Sequence, residues 1–67
     1  DCYYETLEGI TVVDFKTDRV TPHSVTDRAE HYRPQLEAYS KALEEITGKP
    51  VVRRVLWFFA LNQGVDL

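Results

Sequence analysis

Two residues separated by one, Asp14 and Lys16, set an anion beside a cation at the end of the segment Ile10–Lys16 (ITVVDFK). The segment is rich in β-branched residues and reads as a strand, in which successive side chains alternate between faces. Asp14 and Lys16 then share one face and Phe15 takes the other. A second carboxylate, Asp1, belongs to the strand-like stretch Asp1–Thr6 (DCYYET), and Leu7-Glu8-Gly9 lies between the two segments. A hairpin turning there, with Gly9 supplying the positive φ, puts Asp1 opposite the Asp14–Lys16 stretch. Hard oxygen donors from Asp1 and Asp14, joined by the backbone carbonyl of Phe15, suit Mg²⁺, with Mn²⁺ able to substitute, in an octahedral shell that keeps several waters. Such an ion lowers the pKa of a bound water, and Lys16 is placed to orient that water and offset charge developing on a phosphorus centre. Phosphodiester hydrolysis is the reaction these groups fit. A lone Asp-x-Lys on a strand is commonly just an exposed ion pair worth under ~1 kcal/mol. The reading therefore leans on Asp1 across the hairpin.

The elements that must position these groups follow along the chain. Pro22, with Thr and Ser around it, marks a loop between Thr17 and Ser24, and Ser24, Thr26 or Asp27 can cap the helix that follows. The helical region extends to about Thr47 with Pro34 inside it, and the proline predicts a kink or a fresh start near Arg33. Leu36, Tyr39, Leu43 and Ile46 recur at helical spacing and predict one apolar stripe packed on the sheet. Gly48 and Pro50 stop the helix. Val51–Leu61 reads as a strand, whose run Val55–Leu61 predicts burial on both faces, and Asn62-Gln63-Gly64 as a turn before a short returning strand. The order strand, strand, helix, strand defines an α/β (α+β) chain. It implies a mixed sheet with an N-terminal hairpin, one helical segment on one face and a crossover to a central strand.

Composition sets the outer bounds. A chain of 67 residues, 43% hydrophobic and 28% charged, forms one small globular domain with a thin core. A single cysteine, Cys2, excludes an internal disulfide and a cysteine-built zinc site, which fits a reducing, cytoplasmic setting. No apolar run approaches a membrane span, and no signal-peptide pattern is present. The net charge of −3 and the scattered Lys and Arg argue against an autonomous nucleic-acid binder, while leaving room for a locally acidic metal site. The opening residue, Asp1 and not Met, leads to the expectation of a piece of a longer chain. His23 and His31 have no carboxylate at ligand spacing and read as surface residues. Trp57-Phe58-Phe59 has the composition of a base-stacking platform, but a continuous apolar strand is read as core. Arg53 and Arg54 interrupt that strand without an evident reason.

Three segments together, Asp1, Val12-Val13-Asp14-Phe15-Lys16-Thr17-Asp18-Arg19, and Tyr32-Arg33-Pro34-Gln35-Leu36 with Tyr39 following, resemble the RecB-type branch of the PD-(D/E)XK nucleases. Within it they are most similar to AddA-type helicase–nucleases, where a strand aspartate, a D-Y-K-T-D segment and a Q-x-x-x-Y helix follow in this order. The resemblance covers nearly the whole chain, residues 1–67 being a C-terminal portion of such a nuclease domain and a partial restriction-endonuclease-like core. It implies that Asp1 and Asp14 bind the metal, that Lys16 is catalytic, and that Gln35 and Tyr39 line the active site and contact DNA. Phe15 stands where tyrosine is commoner. The family's upstream helix and its metal-binding histidine or acid are not among these residues. The implied partners are DNA, a helicase domain of the same parent chain and a second helicase–nuclease subunit. The implied role is DNA cleavage during double-strand-break repair, with the isolated segment inactive. The alternative from another class is a non-catalytic interaction domain or a degenerate nuclease fold, which has no reason to bind a metal at Asp1 and Asp14.

Overall fold

The computed structural model describes residues 2–67. Strand β1 (Cys2–Glu5) and strand β2 (Ile10–Lys16) form the N-terminal hairpin, helix α1 spans Val25–Thr47, and strands β3 (Val51–Phe58) and β4 (Gln63–Asp66) complete the chain. The sheet runs in the order β1-β2-β3-β4. β1 and β2 are antiparallel, β2 and β3 parallel, and β3 and β4 antiparallel. This is the mixed α+β sheet with one helix and a crossover into its interior that the sequence predicts.

The hairpin register pairs Glu5 with Ile10 and Cys2 with Val13. Its turn is closed by Thr6 and Gly9, whose backbones exchange hydrogen bonds of 2.7 and 3.2 Å. Gly9 adopts φ 147°, a region open only to glycine. A Cβ there would stand 2.4 Å from the Pro50 carbonyl oxygen, and the next residue, Ile10, donates its N–H to that same oxygen at 2.8 Å. Glycine is needed at this point because the start of β2 presses against the entry to β3.

Helix α1 begins after Ser24 and ends at Gly48, which takes a left-handed conformation (φ 70°) and donates its N–H to the Glu44 carbonyl. It is a single helix through Pro34, correcting the expectation of a new helix near Arg33. Pro34 is not buried, so the Glu30 carbonyl that loses its partner lies on the watery side. The apolar stripe also continues through it: Val25, Ala29, Leu36 and Leu43 are buried, and Tyr32 and Tyr39 pack against them.

The core lies between α1 and one sheet face, joining these residues to Ile10, Val12, Leu56 and Phe58. Ile46 is not part of it; it is 82% exposed. Helical spacing assigns Ile46 to the apolar stripe, but its side chain is left in solvent while Leu43, three residues earlier, is buried. The strand expected over Val51–Leu61 also ends earlier, at Phe58. Residues 59–62 turn the chain, with Asn62 at φ 51°, a conformation asparagine tolerates. β4 therefore starts at Gln63, inside the expected turn. Phe58 is fully buried, Trp57 is half-buried and Phe59 is 56% exposed, so the aromatic run is core only in part. Arg53 pairs across the β3–β4 ladder with Asp66, Nε to Oδ1 2.7 Å.

Truncation of Leu43 to Ala should destabilise the fold by about 2–5 kcal/mol, whereas Ile46→Ala should cost less than about 0.5 kcal/mol. Chemical denaturation of the two variants checks the difference, and equal losses would place Ile46 in the core after all.

Candidate active site

Alternation along β2 decides which of its side chains meet the helix. Ile10, Val12, Asp14 and Lys16 face α1, while Phe15 turns to the opposite face and stacks on Phe59, ring centroids 5.7 Å apart. Asp14, opposite Leu56 of β3, is only 3% exposed. A carboxylate this buried needs a compensating charge, since desolvation of an isolated ion is costly. Lys16 supplies it, with Nζ 3.0 Å from Asp14 Oδ2. The expected sharing of one face by Asp14 and Lys16, with Phe15 turned away, is what the structure shows. Asp1, the expected second carboxylate, lies outside the described residues.

The Lys16 ammonium has a second neighbour. It sits over the ring of Tyr32 on α1, 4.1 Å from the centroid. The Tyr32 hydroxyl donates to Asp18 Oδ2 at 2.8 Å, and Arg28 Nε lies 3.6 Å from the same oxygen. Asp14, Lys16, Tyr32, Asp18 and Arg28 thus form a chain of alternating contacts from the end of β2, through the following loop, to the first turns of α1. The hydrogen bond to Asp18 raises the pKa of Tyr32 above the ordinary phenol range, and burial of the ring and the Asp18 charge add to the rise. The phenol stays a donor through neutral pH.

Gln35 and Tyr39 follow Tyr32 at three and seven residues, along the same side of α1. Gln35 is exposed, and Tyr39 is half-buried against the core. Neither makes a side-chain hydrogen bond to Asp14 or Lys16 among the described residues. Tyr32 is the residue to which sequence reasoning gives no role of its own. The signal for it is the apolar stripe itself, which runs back from Tyr39 and Leu36 through Tyr32 and Ala29 to Val25 once Pro34 is no longer read as a break.

Asp14 offers hard carboxylate oxygens of the kind divalent metals accept, in a buried position. Among the described residues no group of three or more His, Cys, Asp or Glu gathers that could hold a metal ion. No helix among them is long and apolar enough to cross a membrane.

A mixed sheet carrying a buried Asp-x-Lys pair beneath one helix is an arrangement a metal-assisted phosphodiesterase can use, and the family model of the PD-(D/E)XK nuclease superfamily matches residues 3–65. The chain belongs to that superfamily. It is similar to the A component of the ATP-dependent helicase/nuclease of Thermoanaerobacter sp. (strain X514), 44% identical over 59 residues, which are 88% of this chain and 5% of that protein. The proteins of the same description from Alkaliphilus oremlandii and Clostridium kluyveri are 39% and 37% identical over 67 residues, 100% of this chain and 6% and 5% of theirs. The chain spans about a twentieth of the length of the curated relatives it matches.

Replacing Asp18 with Asn removes the anion that accepts the Tyr32 hydrogen bond, so the Tyr32 pKa should fall back toward the ordinary phenol range. The sign for stability follows. A raised folded-state pKa contributes stability that is complete below the ordinary phenol range and lost as pH rises through the folded value. A Tyr32-resolved NMR titration of wild type and Asp18→Asn checks the shift; an unmoved titration would separate Tyr32 from Asp18.

Proposed function

We propose that this chain is part of a Mg²⁺-dependent deoxyribonuclease domain in a helicase–nuclease that processes DNA ends during double-strand-break repair and recombination. The observation that carries the reading is the buried Asp14 carboxylate in contact with the Lys16 ammonium, within a chain of the PD-(D/E)XK superfamily. Relatives named as parts of an ATP-dependent helicase/nuclease support placement beside an ATP-driven motor. A helicase domain in the same parent chain, a cytoplasmic setting and a second helicase–nuclease subunit complete the proposal.

In this reading Asp14, Asp1 and the Phe15 carbonyl hold the divalent ion. When bound, that ion acidifies a water and polarises the scissile phosphate. Lys16 donates to the attacking water and to the phosphate oxygens, offsetting charge as the phosphorus centre becomes crowded. Gln35 and Tyr39 line the DNA path along α1. Phe15, on the far face, serves through its backbone alone.

In the full-length protein, Asp14→Ala and Lys16→Ala should each abolish cleavage of linear DNA while ATP-driven unwinding persists, because the two activities use different residues. Gel assays of both reactions on one preparation make the comparison, and cleavage retained in both variants would refute these roles. The 67-residue chain alone should bind Mn²⁺ only at about millimolar concentration or weaker, since a half-filled donor set leaves the ion mostly to its waters. Calorimetric titration measures this, and tight binding would mean that these residues suffice.

A further inference from the structure

Lys16 is gripped from two sides, by an anion that the proposed reaction needs for something else and by an aromatic ring that it does not. The ammonium lies 3.0 Å from Asp14 Oδ2 and 4.1 Å from the centre of the Tyr32 ring, on a side chain only 16% exposed. If Asp14 ligated a divalent ion, part of its negative charge would be committed to that ion, and the ion would repel the ammonium. A lysine on a flexible four-carbon stem would then be held less firmly by its ionic partner.

We propose that Tyr32 and Asp18 are positioning residues for Lys16: the Tyr32 ring retains the ammonium beside the reacting phosphate, and Asp18 fixes the ring. The inference rests on the reading of Lys16 as the catalytic lysine. Attraction to a ring face consumes no lone pair and leaves the N–H groups on the far side free to donate to water or phosphate. The Tyr32 hydroxyl donates to Asp18 Oδ2 at 2.8 Å, which tethers the far end of the ring and, by leaning the phenol proton toward an anion, makes the ring face more electron-rich. Arg28, one helical turn before Tyr32, lies 3.6 Å from the same Asp18 oxygen and steadies it. Asp18 is two residues beyond Lys16, so the loop that leaves β2 returns to fix the residue that holds the lysine. The arrangement is local to β2, its exit loop and the first turns of α1.

The test is steady-state cleavage of linear DNA by the full-length protein with Mg²⁺. Tyr32→Leu should lower kcat about ten- to a hundred-fold, with the KM for DNA and the half-saturating Mg²⁺ concentration moving less than about two-fold. Tyr32→Phe keeps the ring without its tether, and Asp18→Asn removes the anchor, so each should cost only several-fold. Combining them should cost no more than the worse single change, since both break the same link. The non-additivity reports the link itself, and the loss confined to kcat is what a purely structural role for Tyr32 does not predict. Equal losses in Tyr32→Leu and Tyr32→Phe, or losses that multiply in the double variant, overturn the proposal. If Tyr32→Leu does not fold, the near-isosteric Phe and Asn changes decide alone. Asp14→Ala, assayed alongside, separates the two levels: cleavage surviving in it defeats the nuclease reading, whereas no cleavage in it and full kcat in Tyr32→Leu defeats only the positioning role.

Discussion

The parallel pairing of β2 with β3 is the constraint from which the rest of the structure follows. Parallel neighbours cannot be joined by a tight turn, so the chain must travel back along the sheet before β3 can start, and α1 is that return path. The register, Val13 to Val55 and Asp14 to Leu56, puts β2 in the interior of the sheet, whose one face shares its core with the helix. A carboxylate on the helix-facing side of such a strand is necessarily buried, and a buried carboxylate demands a partner. Asp14 and Lys16 are thus a consequence of where β2 sits as much as of their own chemistry. The close approach of Gly9 to Pro50 fixes the other end of the pairing, where Ile10 meets Val51.

The same constraint makes the core one-sided. Nine of the described residues bury together between α1 and one face, led by Phe58, Ile10, Leu36, Leu56 and Val12. On the opposite face Val55 is buried, but Phe15 and Phe59 are about half exposed and Trp57 is half-covered. The site itself lies on the covered side, so its geometry depends on α1 staying docked. A lost contact along the Leu36–Leu43 stripe loosens Tyr32 and with it the neighbour of Lys16.

Much of this is legible in the residues. Alternation and β-branching over Ile10–Lys16 mark β2 at its observed bounds, and Gly48 with Pro50 marks the helix end. The facing of Asp14, Phe15 and Lys16 follows from strand alternation alone. Three features escape for physical reasons. Periodicity identifies a helix face but not whether anything lies opposite it, which is why the spacing of Ile46 points wrongly to the core. An apolar run does not show where a strand bends, so it hides the turn after Phe58 that the left-handed Asn62 permits. The contact between Lys16 and Tyr32 joins residues from different elements, and no local pattern encodes it.

Gly64 of β4 has one further consequence. A Cβ at that position would lie 3.2 Å from the Trp57 ring and 3.2 Å from Val55, so the indole rests directly on bare backbone. Trp57 is the chain's single tryptophan, and it belongs to the face that α1 does not cover. Its emission colour therefore reports how wet that face is, independently of events around Asp14 on the other side of the sheet. The molecule carries its own optical gauge of whatever comes to rest against its bare aromatic side.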